Sequence, residues 1–157
     1  MMLSNSAQKV QQALLAKGQN CEVIELSQST RTAMDAANAL GCDTAQIIKS
    51  LLFCTQNKEP VLILASGINR VNEKTLEKLV GSQITKADAN FTKAVTGFAI
   101  GGVPPLGHLH TINFIFIDED LLQYETLWAA AGTPFAVFKF LTKDIEHLTG
   151  GKIVCIK

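Results

Sequence analysis

A chain of 157 residues with 47% hydrophobic and 18% charged side chains falls among ordinary globular domains, long enough to bury a core without disulfide or metal staples. Fourteen basic and fourteen acidic residues cancel, which argues against a partner such as long DNA gripped mainly through phosphates, while leaving recognition of one nucleic-acid end open. No apolar run approaches the ~20 residues that cross a bilayer, and the start lacks a basic-then-apolar leader, so a cytoplasmic protein with no membrane partner is expected.

Asn5 with Gln8 reads as a capping box ahead of Ala7, Val10, Leu14 and Leu15, which predicts a first helix stopped by Gly18. Cys21 to Leu26 reads as a short strand. Thr30 is expected to cap a helix over Arg31 to Leu40, whose small face of Ala33, Ala36 and Ala37 suits close packing before Gly41. Asp43 and Gln46 suggest one helical turn.

The segment from Ile47 to Cys54 is apolar enough for a central strand covered on both faces. Lys49 is out of place there. By alternation it shares a face with Ile47, Leu51 and Phe53, so its ammonium must reach a cleft, a carboxylate, a ligand or the solvent at the strand end. Val61 to Ala65 pairs with this strand as a hairpin. Asn72 and Asp88 are expected to cap helices ending at Gly81 and Gly97.

Thr96 to His108 then alternates glycine, proline and apolar residues, with polar side chains only at its ends. Glycines allow close backbone approach, while Pro104 and Pro105 fix φ and remove two N–H donors. Such a stiff, uncharged loop is either a buried turn between strands or a binding element. His108 and His110 follow it and read as surface or strand residues before acid–base groups. Beyond lie a strand over Ile112 to Ile117 ended by Asp118, strands over Tyr124 to Ala129 and Phe135 to Phe140, a helix capped by Thr142, and a closing strand over Ile153 to Ile156.

Cys21, Cys42, Cys54 and Cys155 are scattered without CxxC spacing, so reduced thiols are expected and no metal or other cofactor is called for. No Ser-His-Asp or Cys-His arrangement emerges from order or spacing.

The order of features nevertheless resembles a known family. A Thr-x-x-x-Ala-Ala helix, Leu40-Gly41, Gln46-Ile47-Ile48-Lys49-Ser50-Leu51-Leu52, Thr96-Gly97, Gly101-Gly102-Val103-Pro104-Pro105-Leu106-Gly107, Ala131-Gly132 and a Leu-Thr-Gly-Gly ending resemble the YbaK-like aminoacyl-tRNA deacylases. These are relatives of the editing domain of bacterial prolyl-tRNA synthetase. The resemblance covers nearly the whole chain and implies a single α+β domain over residues 1–157, with a mixed, curved, barrel-like sheet surrounded by helices.

It further implies trans-editing, the hydrolysis of the ester on a mischarged tRNA bearing a small amino acid, with the tRNA acceptor end and an aminoacyl-tRNA synthetase as partners and no metal. By position, Lys49 matches the family's lysine and Gly101 to Pro105 its Gly-x-x-x-Pro loop, so Lys49, Gly101 and Gly102 are expected at the reacting end. Val103, Pro104, Pro105 and Gly107 belong to the binding loop, and Ser50 takes a secondary role. Thr30, Phe53, Asp118 and Gly132 are weaker candidates for the pocket wall. Ala130-Ala131-Gly132 departs from the Ser-Gly-Gly turn of some members. A binding module without hydrolysis, and a hydrolase of small activated esters unrelated to tRNA, remain alternatives.

Overall fold

The computed structural model describes residues 3–157. Helix α1 (Asn5–Ala16) buries Ala7, Val10 and Leu14, the apolar stripe that its spacing predicts. Its cap is Ser4 rather than Asn5, since the Ser4 hydroxyl accepts from the Ala7 N–H at 3.3 Å. The expected strand at Cys21 to Leu26 shrinks to β1 (Ile24–Glu25). Helix α2 (Ala33–Leu40) starts later than expected. Thr32 is its cap, because Thr30 donates its own hydroxyl to Pro134 C=O at 2.7 Å.

β2 (Ile48–Thr55) and β3 (Pro60–Ser66) form the predicted hairpin. Helix α3 (Glu73–Val80) follows, capped by Asn72, then β4 (Ile84–Lys86), which sequence pattern missed, and α4 (Ala89–Thr96), capped by Asp88. A chain segment without regular structure leads from Gly97 to β5 (Phe114–Asp118). The remaining elements are β6 (Thr126–Ala130), β7 (Ala136–Leu141), α5 (Ile145–Thr149) and β8 (Lys152–Val154). Thr142 does not cap α5 as expected; its buried hydroxyl has no hydrogen-bond partner among the described residues.

The strands make two sheets. One is five-stranded in the order β4-β2-β3-β5-β8, with β3, β5 and β8 parallel and β2 antiparallel to both its neighbours. The other is antiparallel in the order β1-β7-β6. This is the expected single α+β domain with mixed sheets, but the barrel-like closure is corrected, since neither sheet closes on itself. Among the described residues, one parallel bridge, Ile47 to Trp128, pairs their backbones. β2 therefore has a partly open edge.

Alternation along β2 and β3 divides the core. Ile48, Leu52, Leu62 and Leu64 join α1 and the three-stranded sheet in the larger cluster, while Phe53, Val61, Ile63 and Ala65 pack with Leu76 of α3 on the opposite face. Sheets covered on both sides need such near-continuous apolar runs, which explains the composition of β2 and β3.

Candidate active site

A cleft of about 340 Å³ opens where the two sheets meet. The start of α2 forms one wall, Ile47 and β2 as far as Leu51 the floor, and Ile100, Gly101 and Val103 of the glycine-proline loop a second wall. Trp128 to Ala130 and Val137 of the smaller sheet close it. Of the residues expected at the site, the structure brings Thr30, Lys49, Ser50, Gly101 and Val103 to this cleft.

Lys49 is half-buried, and its ammonium donates to the backbone C=O of Asn69. Burial and the neighbouring Arg70 guanidinium hold the Lys49 pKa below the usual lysine range, against an opposing pull from Asp118. Asn69 in turn is held by its own side chain. Its Nδ2 donates to Asp118 Oδ2 at 2.9 Å and to Asp120 Oδ2 at 2.8 Å, and Asp120 meets the Lys157 ammonium at 2.9 Å. Asp118 also accepts from the N–H groups of Ser66 and Asp120, each at 2.9 Å. Its carboxylate, expected on the pocket wall, instead lies fully buried behind Asn69.

The loop is wired into the core rather than splayed over it. Val103, Pro104, Pro105 and Leu106 are all buried. Gly101 has φ +92°, and an added Cβ would stand 3.3 Å from Cγ of Arg31, so the arginine stem lies along the loop at the cleft mouth. Gly102 does not line the cleft. Its C=O accepts from the Gly132 N–H at 2.9 Å, and a Cβ there would come within 2.8 Å of the Gly132 and Thr133 backbone. Gly132 thus serves loop packing, and Gly107 lies against Ala13 of α1.

His108 is a strut for the loop: its Nε2 donates to Pro104 C=O at 2.8 Å, and burial pushes its pKa below the ordinary histidine value. His110 is exposed and bonds through its backbone N–H to Val95 C=O at 2.9 Å. Phe53, expected in the pocket wall, does not line the cleft and packs in the smaller core cluster with Val61, Ile63 and Leu76.

Sequence reasoning missed Asn69 and Arg31. A turn asparagine and an exposed arginine beside a helix start carry no local mark of a site, because only contacts across the fold bring them to Lys49 and Gly101. Among the described residues, no group of three or more His, Cys, Asp or Glu side chains is placed to hold a metal, and no helix is long and apolar enough to cross a membrane.

The aminoacyl-tRNA editing domain family matches residues 27–148, and the chain belongs to this family, in its YbaK-like branch. A solved structure described as a candidate trans-editing enzyme for prolyl tRNA synthetase is 43% identical, with a TM-score of 0.93 over 99% of this chain and 99% of that one. EbsC of Enterococcus faecalis, described as a candidate Cys-tRNA(Pro)/Cys-tRNA(Cys) deacylase, is 24% identical over 80% of this chain and 77% of its own. Proline--tRNA ligase of Ligilactobacillus salivarius is 34% identical over 59% of this chain, a match that spans only 15% of the ligase.

Proposed function

We propose that the protein is an aminoacyl-tRNA deacylase acting in trans on a mischarged tRNA that carries a small amino acid. The observation that carries this reading is the meeting of Lys49, Ser50, Gly101 and Val103 at one cleft of an editing-domain fold. The acceptor end enters the cleft, and the Lys49 ammonium, a compact charge with three donors, holds the phosphate of the terminal nucleotide. Substrate binding draws it from the Asn69 carbonyl.

The aminoacyl carbonyl lies against the backbone of Gly101 and Val103. Water adds to that carbonyl carbon, the bond to the ribose oxygen breaks, and the ribose oxygen takes up the proton, leaving free amino acid and intact tRNA. The neighbouring ribose hydroxyl assists the water, as the family resemblance implies, so the chain supplies position and electrostatics rather than a base. Positioning matters because an aminoacyl ester is already activated. Apolar walls from Ala33, Ala36 and Val137 favour a small side chain, with discrimination of ~1–3 kcal/mol per methylene. No metal takes part, and a prolyl-tRNA synthetase is the synthetase partner that fits the relatives.

A panel of tRNAs mischarged with alanine, cysteine, serine or threonine, incubated with the protein in EDTA, tests this. Release of at least one amino acid, lost in Lys49→Ala, is the expected result. Tight binding without turnover would favour a binding module, and hydrolysis of small esters with no effect on any aminoacyl-tRNA would favour an unrelated esterase.

A further inference from the structure

The backbone edge of β2 bears on what the cleft recognises. Side chains alternate across a strand, so a cleft touching one face meets every second residue. Here Ile47 to Leu51 line it consecutively, which places the strand edge itself, with its N–H and C=O groups, along the floor.

Ladder bonds fix which groups those are. Ala87 N–H donates to Leu52 C=O from the β4 side, while Thr55 N–H donates to Glu59 C=O on the β3 side. Even-numbered residues of β2 therefore turn their backbone groups to the β4 edge and odd-numbered ones to β3. Along that edge, among the described residues, β4 pairs with Phe53 to Thr55, and the smaller sheet pairs through the one bridge at Ile47, just before β2.

Between these contacts, the C=O of Ile48 and the N–H and C=O of Ser50 pair with no strand among the described residues. The buried Ser50 hydroxyl also has no partner among the described residues. Folded proteins rarely leave such groups unmet, so their concentration at one point of a cleft calls for partners from a ligand.

We propose that this open edge reads the base of the substrate's terminal adenosine, an inference that rests on the deacylase reading above. The Ile48 C=O and the Ser50 N–H stand side by side as acceptor and donor. Adenine carries the complement, an amino donor flanked by ring-nitrogen acceptors, and unstacked bases are read along such edges. The walls beside the edge are apolar, with the Trp128 ring among them, and accommodate a planar heterocycle. A peptide strand fits less well, because the free stretch of three residues is shorter than the ~5–6 of a usual strand. A second cleft of about 210 Å³ shares Ser50, Gly101 and Val103 and extends the open space along the same edge.

The test varies the ligand, so folding of a variant is not at issue. One amino acid that the protein releases is placed chemically on tRNAs ending in adenosine, purine riboside or inosine. Purine riboside lacks the amino donor, and its KM rises about tenfold. Inosine sets carbonyl against carbonyl and N–H against N–H, raising KM about a hundredfold. Adenosine 5′-monophosphate inhibits competitively, and inosine 5′-monophosphate does so at least tenfold more weakly.

Equal KM values for the three esters overturn the base-reading edge while deacylation stands, and competition by a short extended peptide alongside equal values assigns the edge to peptides instead. Failure to hydrolyse the adenosine-ended ester along with the others overturns the deacylase reading itself.

Discussion

The glycine-proline loop and strand β2 form two sides of the same cleft, yet they are built in opposite ways. From Val103 to Leu106 the loop is buried, and its glycines are spent largely on packing: Gly102 against the Gly132 turn, Gly107 against α1. Ile100, Gly101 and Val103 are the loop residues that reach the cleft. β2 is a core strand whose edge and whose Lys49 and Ser50 remain available. The loop thus supplies shape and β2 the polar groups. Glycine content marks where backbones approach, but whether they approach a ligand or another turn depends on what the fold places opposite.

Lys49→Ala removes the charged group that β2 supplies and costs the most activity. Deacylation falls about 100-fold or more, with little change in the melting temperature, since a half-buried lysine is replaced without a cavity in the core. Single-turnover hydrolysis together with thermal denaturation checks both halves. Gly102→Ala probes the loop side. Its Cβ would meet Gly132 and Thr133 backbone, so the fold loses about 1–3 kcal/mol, measured by urea denaturation, and activity falls only as far as the loop shifts.

Asn69→Ala tests how Lys49 is held. Removing both Nδ2 hydrogen bonds leaves Asp118 and Asp120 short of a donor and costs about 1–2 kcal/mol. Loss of the ordered carbonyl raises KM more than it lowers kcat, whereas damage confined to stability would leave KM in place.

Two pH experiments sharpen the contrast at smaller amplitude. His108 has a folded pKa below its unfolded value of ~6.5, so the unfolded state takes up the proton first as pH falls. Stability is full above that pH and declines below it, and His108→Gln flattens the decline in a series of thermal melts. On the β2 side, burial and Arg70 lower the Lys49 pKa, so substrate binding weakens at lower pH than for an ordinary lysine. Arg70→Gln removes a repelling charge, and the alkaline loss of affinity for a non-hydrolysable aminoacyl analogue moves to higher pH.

Much of the molecule is legible locally. Asn72 and Asp88 cap their helices as their positions imply, accepting from Thr75 and Phe91 N–H groups at 3.3 and 2.7 Å. Gly41, Gly81, Gly97 and Gly150 end helices in left-handed geometry. The hairpin of β2 and β3 follows from two apolar runs and a polar turn, and Lys49 stands out as a cation in such a run. Each of these signals acts across a few residues, where a side chain answers to its own backbone.

Where the chain must choose among distant partners, pattern fails. Thr30 loses its expected capping role to Thr32 because Pro134 is in reach, and β4 escapes detection because three residues carry no period until β2 pairs with them. Asp118 turns from the expected wall toward Asn69, 49 positions away in the chain. Two open sheets replace one curved sheet because, among the described residues, strand pairing between them is limited to the single bridge at Ile47. Residue order alone therefore set the helices, the hairpin and the unusual lysine, whose causes are local. Tertiary contact decided which glycine faces the cleft, what holds Lys49, and that β2 keeps an open edge, because each depends on the neighbour that the rest of the chain supplies.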